Sequence, residues 1–290
     1  MDLKHLETLI AIVHEGSFSG AAKALNTVQS NVSEHVKLLE REINAAVLIR
    51  TRNGAQLTDA GRLVYSMAKR IEKEIEQMST QLALTKGLNF GSCSVGFVWT
   101  TVSWLEQQTV LKMRQIAPGV TLNIVEASSE RLVDLVLKQD LACAVITGPY
   151  NDERLHMTPL LEEKFVLVAP GNEKLPKKAN MELIARQKLI LPNKGSHLRS
   201  MIDQYTQTNK TQLKAEIEVE GLMSIPRMVQ NGLGWSILPN TAVKGIDGLS
   251  VSDIDDMPPR QLLLITLKQG LSTHADQAIH NIIIDGAKNF

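Results

Sequence analysis

The sequence predicts an α/β chain preceded by a small all-helical unit, on three observations. Apolar residues recur every three or four positions over the first 43 residues and again over 59–86, the period of amphipathic helices. Beyond residue 91 short β-branched runs alternate with helical patterns, which points to an α/β domain with largely parallel sheets. The length of 290 residues suits two or three domains at roughly 100 to 200 residues each. With 43% hydrophobic and 21% charged residues the chain is globular, and it is too large to depend on disulfides or a structural metal.

Leu3, Leu6, Leu9, Ile10 and Val13 place a first helix over 2–15, ended by Gly16 as a C-terminal cap. Ser19 is the candidate cap of a second helix, whose Ala21, Ala22 and Leu25 offer a small inner face. Asn26 tolerates the left-handed backbone of a tight turn, and a third helix follows with Val32, Val36, Leu39 and Ile43 inward. Small Ala22 at the helix contact, a turn at Asn26 and branched Val32 behind it make a helix-turn-helix. Its outward residues Gln29, Ser30, Ser33, Glu34 and Lys37, with Thr27 and Asn31 beside them, are types that meet base edges or phosphates in a major groove.

Charge agrees with that reading. The whole chain has a formal net charge of zero, which excludes a uniformly basic nucleic-acid binder. Between residues 20 and 70, however, eight basic side chains face four acidic ones, so any phosphate-contacting surface is local to this end. Arg50, Arg52, Asn53 and Gly54 form a turn before Leu57 and read as a wing reaching the DNA backbone or minor groove.

From Asp59 to about Lys86 one long helix carries Val64, Ala68, Ile71, Ile75, Met78 and Leu82 at heptad-like spacing. Such a stripe needs a partner: most simply the same helix of a second subunit, alternatively the chain's own C-terminal domain. Strands are expected over 92–98, 120–126, 143–147, 164–169, 188–191, 215–220, 235–238 and 261–267, with helices such as 104–116, 131–138, 198–206 and 225–231 between them. A region of this kind often splits into two lobes with a ligand beyond the carboxyl ends of the strands. Thr100, Thr101 and Ser103 then open the helix after the first strand, and Ser128 and Ser129 repeat the arrangement after the second, where helix N-termini favour an anion.

Enzyme signatures are wanting: there is no HExxH, no Walker loop and no GxSxG, and Gly232-Leu233-Gly234 lacks the third glycine of a dinucleotide site. His5, His14, His35, His156, His197, His274 and His280 have no metal-ligand spacing, so no metal or resident cofactor is expected. Cys93 and Cys143 fit buried thiols in a reducing compartment. With no secretory start and no membrane-spanning run, the expected location is the cytoplasm.

Residues 25–61, LNTVQSNVSEHVKLLEREINAAVLIRTRNGAQLTDAG, resemble the winged helix-turn-helix signature of LysR-type transcriptional regulators. Gly16-Ser17-Phe18-Ser19 with Ala21-Ala22 matches the segment before it, and Gly232-Leu233-Gly234-Trp235 with Leu238-Pro239 continues the similarity near the end. The resemblance covers essentially the whole chain. It implies a winged domain over 1–58, a dimerising linker helix over 59–87 and a two-lobed, periplasmic-binding-protein-like effector domain over 88–290. Lobe I would take 88–161 and 267–290, and lobe II 162–266. It further implies a homodimer or homotetramer on double-stranded promoter DNA, acting with RNA polymerase and without a membrane.

Gln29, Ser30 and Ser33 match the family's recognition positions, Arg50 its arginine before the wing, and Arg52 falls in the wing. Val28, Asn31, Glu34 and Asn44 depart from the common residues, which alters the expected operator and not the fold. The inducer would lie among the two hydroxyl loops, Thr147, Gly148 and Pro149, and Gly195, Ser196, His197, Gly221 and Leu222, as a small organic anion. Ala142 stands where the family often has Asp. Two rival readings remain: a redox sensor using Cys93 and Cys143, and a cytosolic solute-binding or enzymatic α/β protein whose N-terminal helices only dimerise.

Overall fold

The computed structural model describes residues 2–51, 54–85, 91–254 and 256–288. It divides into two compact units, residues 1–91 and 92–290.

The first unit opens with α1 (Leu3–Glu15), capped by the Asp2 carboxylate on the Lys4 N–H at 3.0 Å and closed by Gly16 at φ 69°. In α2 (Phe18–Ala24) the cap is Ser17, whose hydroxyl accepts from the Gly20 N–H at 3.0 Å, and not Ser19 as the sequence suggests. Ser17 has the extended backbone a cap needs, whereas Ser19 already lies within the helix. Asn26 turns the chain at φ 51° into α3 (Gln29–Ile43), and Asn44 ends that helix in the same left-handed conformation at φ 53°.

Leu9, Ile12, Val32 and Leu39 are fully buried and join Ala21, Ala22 and Val36 in one core, each large side chain adding roughly 1.5 to 3 kcal/mol. Leu25, expected on the inner face, lies at the surface instead, beyond the end of α2. The wing is an antiparallel pair, β1 (Leu48–Thr51) with β2 (Gly54–Leu57). Its Gly54 has φ 129°, and a Cβ there would sit 2.1 Å from the Gly16 carbonyl oxygen, so glycine lets the wing dock on the end of α1.

The long helix α4 (Asp59–Thr85) belongs to this first unit. Its stripe divides: Val64, Ala68 and Ile71 pack into the winged-domain core, while Ile75 and Met78 are exposed. The first turns of α4 lie against α1. The side chain of Leu82 lies outside the described residues.

The second unit has two lobes. A five-stranded sheet in the order β4-β3-β5-β13-β6 is built from β3 (Gly91–Val98), β4 (Val120–Ala127), β5 (Cys143–Thr147), β6 (Leu155–Glu163) and β13 (Arg260–Leu267). Helices α5 (Gln107–Ile116), α6 (Ser129–Leu137) and α10 (His274–Lys288) accompany it. The second lobe comprises β7 (Phe165–Pro170), β8 (Lys178–Ala179), α7 (Met181–Ala185), β9 (Leu189–Pro192), α8 (His197–Thr208), β10 (Ala215–Val219), α9 (Ile225–Gln230), β11 (Ser236–Pro239) and β12 (Leu249–Ile254). Its sheets, β11-β7-β12-β8 and β10-β9, are stitched by reciprocal 2.8 Å bonds between Trp235 and the backbone of Lys188 and Ile190.

Several expectations need correction here. The sheets are mixed: β3 and β5 are parallel, but β13 runs antiparallel to β5 and β6, because it is the strand by which the chain returns from the second lobe. The lobe boundary moves accordingly, with crossings between β6 and β7 and between β12 and β13, so 260–266 belongs to lobe I. Strands β6 and β12 escaped the sequence reading because their polar residues, Glu162 and His156 in one and Ser250 and Asp253 in the other, blur the alternation. The helix expected from Trp104 begins instead as a 3-10 turn (Trp99–Thr101) and a π turn (Val102–Glu106), which together bury Thr101, Trp104 and Leu105.

Candidate functional site

In the first unit α3 separates its residues by face. Val32, Val36 and Leu39 point into the core, whereas Gln29, Ser30, Asn31, Glu34 and Lys37 are exposed and Ser33 is half-buried. Thr27 precedes the helix and is also half-buried. Val28 starts the helix with no side-chain cap and is 59% exposed, an apolar side chain set among polar ones. The Ser19 hydroxyl donates to Gln29 Oε1 at 3.1 Å, and Asn31 Nδ2 donates to Thr27 Oγ1 at 3.0 Å.

Behind the helix His35 Nδ1 and Thr8 Oγ1 are 2.8 Å apart and the His5 and His35 rings lie 5.4 Å apart, tying α3 to α1 by contacts that helical periodicity does not reveal. In the wing the Arg50 side chain, Arg52 and Asn53 lie outside the described residues.

In the second unit a cavity of about 490 Å³ opens between the two lobes. The structure brings Thr100, Ser128, Ser129, Thr147, Gly195, Ser196 and His197 to its wall from four separate loops. Ser128 and Ser196 are helix caps, accepting from the N–H groups of Arg131 and Arg199, and Ser129 Oγ accepts from the Thr147 N–H at 3.0 Å. Thr101 and Gly221 are not in the lining: Thr101 is fully buried and donates to the Val98 carbonyl at 2.9 Å, and the neighbours of Gly221, Glu220 and Leu222, line the cavity in its stead. The Ser103 side chain lies outside the described residues.

Sequence reading missed the charged group of this cavity. Arg260, 4% exposed at the start of β13, lines it while bonding Glu163 through Nε and the Thr100 hydroxyl through Nη2. Glu163 also accepts from the Thr241 N–H, and Thr241 donates to the Thr100 carbonyl at 3.3 Å. Burial pushes the Glu163 carboxyl up and the Arg260 guanidinium pulls it back. The four residues come from β13, β6 and both lobes, so a buried ion pair sits where the chain crosses between lobes and borders the interlobe cavity. No sequence spacing foretells it, since Thr100 and Arg260 are 160 positions apart.

Comparison with known proteins settles the family. The model of the bacterial regulatory helix-turn-helix protein, lysR family, matches residues 3–62, and that of the LysR substrate binding domain matches residues 86–287. The chain belongs to the LysR family. It is therefore a DNA-binding LysR-type transcriptional regulator with an effector-binding domain, as the sequence resemblance implied. Among the relatives of this LysR-type regulator is the nitrogen assimilation regulatory protein nac of Escherichia coli, 28% identical over 250 residues, covering 86% of this chain and 81% of that protein.

Solved structures share its fold, two of which illustrate it. A full-length OxyR variant from Pseudomonas aeruginosa has a TM-score of 0.72 at 22% identity, covering 99% of this chain and 98% of the other. Full-length LysG from Corynebacterium glutamicum with bound effector Arg has a TM-score of 0.68 at 19% identity, covering 100% and 99%. In this LysR-type regulator Cys93 and Cys143 are both buried, on the adjacent strands β3 and β5. Among the described residues no group of three His, Cys, Asp or Glu side chains could hold a metal, and no helix is long and apolar enough to cross a membrane.

Proposed function

We propose that this regulator reads duplex promoter DNA through Thr27, Gln29, Ser30, Asn31, Ser33, Glu34 and Lys37, with Arg50, Arg52 and Asn53 on the backbone, and answers to a small organic anion held between its lobes. The observation that carries the ligand class is the wall of the interlobe cavity, which Thr100, Ser128, Thr147 and Ser196 line together with Arg260. Among the described residues no partner is found for Arg260 Nη1, so a carboxylate on the ligand has a charge-assisted donor to meet. The apolar parts of Val98, Trp99, Leu198 and Leu222 suit the rest of a small molecule.

A ligand touching both lobes stabilises one lobe arrangement over another, and only that difference in affinity moves the equilibrium. The exposed Ile75 and Met78 of α4 suit pairing with a second subunit, as a homodimer or homotetramer. Work in the cytoplasm alongside RNA polymerase, without catalysis of its own, completes the reading. The test is thermal unfolding of the full chain against a panel of small mono- and dicarboxylates, with the corresponding amides as controls. A carboxylate at 100 times its dissociation constant raises apparent stability by ~2.7 kcal/mol. Equal response to acids and amides would overturn the anion assignment.

The redox reading has one observation against it: both thiols are buried in the lobe I core. Thiol titration before and after peroxide, giving unchanged counts in the native protein, is the expected result.

A further inference from the structure

The strongest unassigned feature lies on the DNA-reading unit, and it deepens the recognition-helix reading proposed above. Because Ser17 caps α2, the hydroxyl of Ser19 is not needed there. It reaches across the turn instead, ten positions along the chain, and donates to Gln29 Oε1 at 3.1 Å. Gln29 is exposed at the first position of α3, where no packing orders its side chain. A free glutamine there loses rotamer freedom on binding a base, and a bond already made in the unbound protein removes part of that loss.

We propose that Ser19 is a positioning residue that presets the Gln29 amide for reading an adenine edge in the major groove. The chemistry follows from the donor and acceptor inventory. With one lone pair of Oε1 taken by the Ser19 O–H, the amide plane is held while both Nε2 hydrogens and the second lone pair stay available. Adenine offers N7 as acceptor and N6–H as donor, the complement of that arrangement. Two residues further on Asn31 is held in the opposite sense, since its Nδ2 is engaged by Thr27 Oγ1. Asn31 supplies an internal control, because a lock specific to Gln29 leaves whatever position Asn31 reads unchanged.

The experiment uses the full-length chain and a duplex library with a randomised site, followed by anisotropy titration of the preferred duplex and its single-base variants. Gln29→Ala is expected to flatten one adenine position by about 5- to 150-fold. Ser19→Ala is expected to flatten the same position by about 2- to 10-fold, the size of one net hydrogen bond, with affinity for random duplex unchanged. Ser19→Thr, which keeps the hydroxyl, restores it, and Ser19→Ala adds nothing in a Gln29→Ala background. Replacing that adenine by 7-deazaadenine removes the acceptor for Nε2 and reproduces the Gln29→Ala loss.

If Ser19→Ala weakens preferred and random duplexes by one common factor, or multiplies with Gln29→Ala, the positioning role is overturned. An unchanged Ser19→Ala profile beside an altered Gln29→Ala profile removes that role alone. An unchanged Gln29→Ala profile removes the recognition-helix reading itself, and the positioning role falls with it.

Discussion

The helix α3 and the interlobe cavity, the two proposed sites, are built in opposite ways. Every described candidate on the helix side lies within a single stretch, Thr27 to Lys37, and helical periodicity sorts that stretch into an inner and an outer face. The cavity draws Thr100, Ser128, Thr147, Ser196 and Arg260 from loops and strand ends scattered over both lobes. A site on one helix tolerates change at one residue with local consequences. A cavity assembled at a crossing, and sharing a buried ion pair with the fold, ties change in its wall to stability.

The largest effect expected from this contrast is at the crossing. Arg260→Met leaves Glu163 buried without its cation and should cost about 3 to 5 kcal/mol in urea unfolding, while Arg260→Met with Glu163→Leu recovers most of the loss. A single variant no less stable than wild type would break the idea that cavity and fold share this pair. On the helix side the expected change is in recognition and not in stability. Gln29→Ala and Ser33→Ala should each lower discrimination for the preferred duplex by about 1 to 3 kcal/mol and leave the melting temperature in place. Arg52→Ala should weaken all duplexes alike and reduce the salt slope by about 1, measured by titration across salt concentrations.

A smaller effect sharpens the turn between the helices. Asn26 is left-handed at φ 51°, so Asn26→Ala should lower stability by about 1 kcal/mol and Asn26→Gly should be close to neutral in denaturant titration. The smallest is a pH effect in lobe I. Burial, with Glu126 adding to it, holds the Glu106 carboxyl above the ordinary value of 4.5. A raised acid disfavours the fold while ionised, and the penalty lifts as pH falls through its folded value toward that of the unfolded chain. Glu106→Gln should therefore raise the melting temperature slightly at pH 7 and leave it unchanged near about pH 4.

Legibility followed the same division. Gly16 and Asn26 could be placed in turns because a left-handed backbone selects glycine and asparagine locally. The inward set Val32, Val36 and Leu39 followed from helical spacing. Ser19 was misassigned, because two serines two residues apart are equivalent to a capping rule until the backbone shows which one is extended. In the second unit the hydroxyl loops were readable as helix starts, yet Arg260 was not, since an arginine after two prolines has no period and no local partner.

What the sequence determined alone was most of the succession of elements, the inner and outer faces of α3, and the family to which the chain belongs, because each rests on interactions between near neighbours or on linked motifs in order. Only the tertiary structure decided that β13 returns antiparallel into the first lobe, that Thr101 is closed off while Thr100 faces the cavity, and that Glu163 and Arg260 meet. Those outcomes depend on contacts between distant segments, whose pairing is chosen by burial and hydrogen-bond satisfaction in the folded chain and leaves no regular spacing along it.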